Sequence, residues 1–319
     1  MKLITILVPA YNEEEVLPQF YERVTSVIDA IEDYDFELLF VNDGSSDTTL
    51  MKIKNLREID YRVSYLDLSR NFGKETAMLA GMDFVEGDAL IIMDADLQDP
   101  PELIPEMIKY WEEGYDDVFA KRKSRSGESW VKKKTSKMFY RLLKQLTRIP
   151  IQEDTGDFRL LDRRCINALI SMRESQRYTK GLFSWIGFNK KEILFDRDSR
   201  AAGETKWNYF KLTELAIEGI TSFTTVPLKF ASWLGMAISM CAFIYMFFIV
   251  IKTLLFGASV SGYPSIMSVL LFIGGIQLLC LGILGEYLGR IFNESKRRPQ
   301  YFVNEYNNSK MQVEVLNEK

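Results

Sequence analysis

The chain has 319 residues, 40 basic and 44 acidic side chains, a formal charge of -4 and no histidine. The missing imidazole excludes a Ser-His-Asp triad, a Cys-His pair and a His-ligated zinc, which leaves catalysis to carboxylates, amines, hydroxyls or an oxygen-held metal. The acidic balance argues against a nucleic-acid partner, and the 3 cysteines (Cys165, Cys241 and Cys280) lack the spacing of a disulfide framework or a structural zinc site.

Short aliphatic runs alternate with helical stretches from the start of the chain. Leu3–Val8, Phe36–Val41, Val63–Leu68 and Ala89–Met93 read as strands, and Glu14–Ile31, Asp47–Ile59, Lys74–Val85 and Glu102–Trp111 as helices. The first run is too short for a leader peptide, and Glu13-Glu14-Glu15 follows it closely. Strands separated by helices of that length predict βαβ units, an α/β class and a mostly parallel sheet. Ligands of such sheets bind beyond the carboxyl ends of the strands. The loops there are rich in turn formers and carboxylates: Pro9-Ala-Tyr-Asn-Glu-Glu14, Asn42-Asp-Gly-Ser-Ser-Asp47 and Asp94-Ala-Asp-Leu-Gln-Asp-Pro-Pro101. Taken singly, each has a plainer explanation, since Asp47 serves as well to cap a helix and Asp-Gly is common in turns. Their recurrence on one sheet edge is what points to a site.

Asp94-x-Asp96 carries the most chemistry. Alternate residues of a strand point to one side, so two carboxylates placed this way would converge on a single ion. Oxygen-only ligands suit Mg²⁺ or Mn²⁺, with Gln98 as a further neutral donor, and such an ion offsets the charge of a departing diphosphate.

Farther along, 121–148 holds eleven basic residues and one acid, Glu128, with Val131, Met138, Phe139, Leu142 and Leu146 at helical spacing. A basic amphipathic helix of this kind fits a membrane surface, where Arg122, Lys132, Lys133 and Lys134 would meet an anionic acceptor. The segment 206–228 reads as a second amphipathic stretch, with Trp207, Phe210, Leu212, Leu215 and Ile217 on its apolar faces. From Phe230 to Gly285 the only charged residue is Lys252. This window comprises two apolar runs, about 230–252 and 266–289, joined by the turn Phe256-Gly-Ala-Ser-Val-Ser-Gly-Tyr-Pro264. Each run reaches the roughly 20 residues that cross a hydrocarbon core. A mean hydropathy of -0.08 therefore averages a charged domain with an apolar hairpin. Lys206, Lys211 and Lys229 precede the hairpin, and Arg290, Lys296, Arg297 and Arg298 follow it, while the turn is uncharged. By the positive-inside rule both termini and the charged domain are cytoplasmic, and the protein is multi-pass in the cell membrane. The expected organisation is a catalytic domain over 1–205, the juxtamembrane segment 206–228, two membrane helices within 229–291 and a cytoplasmic tail over 292–319.

Four motifs now stand in order: Val8-Pro-Ala-Tyr-Asn-Glu13, Val41-Asn-Asp-Gly-Ser-Ser-Asp47, Asn71-Phe-Gly-Lys74 and Asp94-Ala-Asp-Leu-Gln-Asp-Pro100. With them the chain resembles family 2 inverting glycosyltransferases of the GT-A, Rossmann-like fold. Asp154-Thr-Gly-Asp-Phe-Arg159, Arg200-Ala-Ala-Gly-Glu-Thr-Lys-Trp207 and the terminal hairpin are similar to the polyprenyl-phosphate subgroup, which includes bactoprenol glucosyltransferases and dolichyl-phosphate mannose synthases. The resemblance implies that Pro9, Tyr11 and Glu13 hold the nucleoside and that Asp43 contacts base or ribose. It implies that Asp94 and Asp96 manage ribose, metal and diphosphate, with Gln98 near the metal, and that Arg200 and Lys206 clamp the diphosphate. The implied reaction is attack of undecaprenyl phosphate on the anomeric carbon of a nucleotide sugar, UDP-glucose being favoured. Asp157 is the candidate base or acceptor-orienting residue, and Asp154 the second.

Three other readings fit parts of the sequence. GDP-mannose or a UDP-aminosugar would serve the same reaction. A processive polysaccharide synthase would carry a Gln-x-x-Arg-Trp motif, which Gln176-Arg-Tyr-Thr-Lys180 does not match. A non-catalytic membrane adaptor would have no need of Asp94, Asp96, Arg200 and Lys206. A lipid-linked product would require a downstream flippase and a glycan transferase. The sequence leaves the oligomeric state open, a homo-oligomer included.

Overall fold

The computed structural model describes residues 1–123, 155–175, 177–195, 226–256 and 262–308. They fall into two compact units, one spanning 1–212 with 298–319 and the other 213–297. In the first, strands β1 (Lys2–Ala10), β2 (Tyr34–Asn42), β3 (Val63–Leu68) and β4 (Ala89–Ile92) alternate with helices α1 (Leu17–Ile28), α2 (Thr49–Ile59) and α3 (Lys74–Phe84). A 3-10 turn (Pro101–Leu103) and helix α4 (Ile104–Glu112) lead to β5 (Asp117–Arg122), and β6 (Thr155–Asp162), α5 (Arg163–Ser171), α6 (Thr179–Trp185) and β7 (Lys190–Phe195) follow. A last strand, β8 (Val303–Asn307), lies beyond the second unit in sequence.

The sheet runs β7-β5-β6-β4-β1-β2-β3-β8. β1 is parallel to β2 and β4, β2 to β3, and β5 to β7. β6 is antiparallel to β4 and β5, and β8 to β3. The fold is the expected mostly parallel α/β sheet. Its central strands are buried on both faces, which is why they read as continuous apolar runs.

Sequence spacing sets how the helices cover those faces. Leu17, Phe20, Val24 and Ile28 form one stripe of α1, and Ile104, Met107, Ile108 and Trp111 one stripe of α4. Both join Ile4, Ile6, Val8, Leu38 and Phe40 in the main core. The other face receives α3, where Gly81 lets the helix lie close: a Cβ there would collide with Leu7 and come within 2.9 Å of Val41 Cγ2. That close seat fixes the amino end of α3 at the carboxyl edge of the sheet.

Two sequence expectations need correction. Lys121 and Arg122, assigned to a basic helix, are the last residues of β5. The rest of the 121–148 segment, including Lys132, Lys133 and Lys134, lies outside the described residues, as do 206–225. The segment 292–319 does not form a plain tail: helix runs on to Ser295, and β8 pairs with β3. Side chains hold β8 in place. Glu305 accepts from Tyr65 Oη and Lys54 Nζ, both at 2.5 Å, and Tyr306 lies 4.6 Å from Phe84 between ring centroids. Just before the strand, Tyr301 Oη donates to Asp83 at the end of α3. Local periodicity carries no sign of this pairing, because its partner is more than two hundred residues away.

The second unit holds α7 (Val226–Phe256) and α8 (Tyr263–Ser295), of 31 and 33 residues. They pack on each other, with the Cys280 thiol donating to Ala231 O at 3.6 Å. Both contain stretches long and apolar enough to cross a membrane, Leu228–Tyr245 and Phe272–Ser295. Large apolar side chains such as Trp233, Phe243, Phe272 and Leu281 are exposed along them.

Candidate active site

Four loops meet at the carboxyl edge of β3-β2-β1-β4 and enclose a cavity of about 230 Å³. Pro9, Tyr11 and Glu13 line it from the first loop, Asp43 from the second, Asn71, Gly73 and Lys74 from the third, and Asp94 and Asp96 from the fourth. A larger open depression of about 750 Å³ lies at the opposite end of β1 and β2. Its charged groups are engaged internally: Arg62 with Asp29 and Asp60, and Glu37 with Thr5 and Ser64.

Hydrogen bonds tie the loops together. Asn12 adopts φ 55°, an αL conformation that Asn tolerates, and its N–H donates to Ser45 Oγ while its Oδ1 accepts from Ser46 N. Glu13 N donates to Thr49 Oγ1, and Asp43 N to Ala10 O. Asp43 accepts from Phe72 N at 2.7 Å and Gly73 N at 2.9 Å, so one carboxylate shapes the third loop from the second. Burial pushes Asp43 above the usual carboxylate range, and these two amides offset only part of that cost. Gly44 at φ 63° passes directly under the backbone of Arg70 and Asn71, with which a Cβ would collide.

The Asp94-x-Asp96 geometry differs from its expected form. β4 ends at Ile92, and the pair occupies a turn whose Leu97 sits at φ 57°, costly for a branched side chain. Both carboxylates face the cavity nonetheless. Gln98, expected near a metal, is 7% exposed and absent from the cavity wall. Its N–H donates to Asp96 Oδ1 at 3.1 Å, which orients that carboxylate.

Asp157 reaches the same edge by another route. The β4–β6 register pairs Ile92 with Arg159, and continuing it by two residues sets Asp157 opposite Asp94. Lys74 Nζ bridges the two acids, 2.7 Å from Asp94 Oδ1 and 2.5 Å from Asp157 Oδ2. Burial alone would raise Asp157, but Lys74, Lys180 and Arg159 outweigh it and hold the carboxyl down to about 2. Lys74 is itself shifted upward: desolvation by the surrounding protein opposes its charge, and Asp94 and Asp157 more than restore it. Asp157 Oδ1 is buried with no hydrogen-bond partner among the described residues. Next to Lys74, Glu75 is pushed up by burial and by Asp157, and it accepts from Thr179 N at 3.2 Å.

Arg122 ends β5, away from the cavity wall. Asp154, Arg200 and Lys206 lie outside the described residues. The sequence by itself assigns no role to Lys74, Glu75 or Lys180. The signal for Lys74 was present in the Asn71-Phe-Gly-Lys74 motif, but only the antiparallel β6 shows what the lysine touches.

The donor set fits a hard divalent cation. Among the described residues no three His, Cys, Asp or Glu side chains form a closed metal cage. Mg²⁺ characteristically uses one or two carboxylates and completes its shell with water and substrate phosphates. Asp94 and Asp96 supply that pair beside a cavity open to a ligand.

The chain matches the glycosyl transferase family 2 model over residues 5–170 and the GtrB C-terminal hairpin model over residues 226–291. The second match coincides with α7 and α8, the membrane-associating part of the chain. An uncharacterized glycosyltransferase of Synechocystis sp. is 47% identical over 302 residues, 95% of each chain. Bactoprenol glucosyl transferase of Shigella phage SfV is 43% identical over 300 residues, 94% of this chain and 97% of that one. Glucosyl-3-phosphoglycerate synthase from Mycobacterium tuberculosis, solved with Mn²⁺, UDP and phosphoglyceric acid, aligns with TM-score 0.47 and 17% identity over 69% of this chain and 76% of that one.

Proposed function

The chain belongs to glycosyl transferase family 2, and from that premise we propose that it transfers a hexose, glucose from UDP-glucose, to a polyprenyl phosphate at the cytoplasmic membrane face. The observation that carries this reading is the single cavity shared by Pro9, Tyr11, Glu13, Asp43, Asp94 and Asp96. It supports a nucleotide site with a hard-ion end. The bactoprenol substrate named for the phage relative supports the lipid acceptor.

In this reading Tyr11 and Glu13 take the nucleoside, Asp43 takes base or ribose, and Asp94 and Asp96 hold Mg²⁺ or Mn²⁺. When bound, that ion neutralises charge on the leaving diphosphate. A phosphate oxygen of the lipid forms the new bond to the anomeric carbon. The bond from that carbon to the diphosphate oxygen breaks with inversion, and UDP leaves with the electron pair. The acceptor is mostly ionised at neutral pH, with a second pKa of about 6. Asp157 therefore has less need to remove a proton than to orient the acceptor. The apolar hairpin anchors the catalytic unit to the bilayer, with the chain ends on the cytoplasmic side. Arg200 and Lys206 would clamp the diphosphate, and Arg122, Lys132, Lys133 and Lys134 would receive the lipid phosphate.

The test is to incubate purified protein and undecaprenyl phosphate with labelled UDP-glucose, UDP-GlcNAc or GDP-mannose, each with Mg²⁺ or Mn²⁺. Label passing to lipid from UDP-glucose, and stopped by chelator, is the expected result. Transfer from GDP-mannose alone overturns the choice of sugar. No transfer from any donor supports the adaptor reading.

A further inference from the structure

The reaction as written leaves Lys74 without a task, although its ammonium joins the two ends of the site. One of its partners, Asp94, belongs to the ion and diphosphate end, and the other, Asp157, stands on β6. The base of the lysine is fixed. Gly73 at φ 94° turns the chain into α3, and Gly81 seats that helix close against β1 and β2. The flexible part is the four-carbon stem, which lets the ammonium move between neighbouring acceptors without moving the backbone. Asp94 and Asp157 are in contact with it, and Glu75 lies close enough to feel both Asp157 and the ammonium, so the acids would repel one another if no cation lay among them.

We propose, on the basis of the function above, that Lys74 is a positioning residue that competes with the ion for Asp94 and holds that carboxylate until an ion binds. When Asp94 turns to a divalent ion, Lys74 stays on Asp157 alone. Two features support the second half. Asp157 Oδ2 is already at 2.5 Å from the ammonium, so no search is required. Its other oxygen is buried and has no hydrogen-bond partner among the described residues, so Lys74 is the one described side chain that holds this carboxylate by a direct contact. Donor loading and the setting of Asp157 are thereby coupled through one side chain. An ordinary structural ion pair would predict no such coupling, because neither partner would exchange.

The proposal makes the ion and Lys74 competitors for Asp94. Full-length protein in detergent, as wild type, Lys74→Met, Lys74→Gln and Lys74→Arg, is titrated with Mn²⁺ alone and the free ion followed by electron paramagnetic resonance. Removing a positive charge at contact distance should tighten Mn²⁺ binding by about tenfold or more in the Met and Gln variants. The Arg variant should stay within about threefold of wild type. Steady-state transfer from UDP-glucose should show kcat lower by about a hundredfold in Lys74→Met, with the donor KM little changed and partial rescue by Arg. Unchanged or weaker Mn²⁺ binding in folded Met and Gln variants overturns the proposal, as does a loss confined to the donor KM. If Mn²⁺ binding tightens while wild type transfers no sugar from any donor, the competition at Asp94 stands and the reaction assigned above falls.

Discussion

Strand β6 carries two acid–cation clusters, two residues apart, that have opposite relations to solvent. Arg159 is 1% exposed and Asp117 0%, their charged atoms 3.1 Å apart, with Lys190 adding a contact to Asp117 at 3.7 Å. The guanidinium of Arg159 also lies 3.6 Å from the Phe183 ring centroid. None of these residues lines either of the two cavities described above. Lys74 has comparable partners in Asp94 and Asp157, but its side chain is 42% exposed and lines the pocket. Charge pairing by itself does not distinguish a site from a brace. What distinguishes them is whether a partner can be exchanged for something arriving from solution. A buried pair gains its value from never exchanging, since breaking it leaves a charge that nothing solvates.

The closed cluster is the more sensitive of the two to substitution. Asp117→Asn takes from Arg159 its ion-pair partner in the interior and should cost about 3–5 kcal/mol, read as a lower thermal midpoint in detergent. A midpoint equal to wild type would erase the distinction between the clusters. At the open cluster the loss should fall on turnover. Asp96→Ala should lower kcat by about 10²–10³ with the midpoint unchanged. Asp157→Asn should retain more activity than Asp96→Ala, because the phosphate acceptor is largely ionised without a base. Equal inactivity in two folded variants would refute that minor-base argument.

Acid sharpens the contrast further. Asp60 and Asp162 are held below the usual carboxylate range: burial raises them, but Arg62 and Tyr21 outweigh it at the first, and Trp111 and Arg164 at the second. Their contribution is complete above the unfolded carboxylate pKa, about 4, and is lost as pH falls through their lower folded values. Asp43, raised by burial, gains its proton first. UDP affinity should therefore fall at a pH where the thermal midpoint still holds, and simultaneous loss would contradict the assignment. The smallest effect is expected at β8. Glu305→Ala removes an exposed pair with Lys54 and the hydrogen bond from Tyr65 Oη, and should cost about 1–2 kcal/mol in chemical denaturation.

Much of the fold was legible because its signals are local. Period and length separate Leu3–Val8 from the stripe of α1, and each parallel strand must deliver its next loop to the same edge. That rule placed Pro9, Tyr11, Glu13, Asp43, Asp94 and Asp96 near one another from sequence alone. The family motifs then supplied the roles, which geometry by itself does not assign. The strand argument for Asp94 and Asp96 failed in detail, since β4 stops short of them and a turn brings them to the cavity.

The sequence by itself determined the alternation of strands and helices, the two apolar spans, the absence of imidazole chemistry and the position of the acidic loops. Each follows from the spacing and chemistry of neighbouring residues. Only the tertiary structure decided that β6 runs antiparallel, which brings Asp157 against Lys74, and that the segment after the hairpin returns as β8. Those pairings join stretches far apart in the chain. Their stability comes from backbone hydrogen bonds and burial realised only after the intervening residues have folded, so no local period records them.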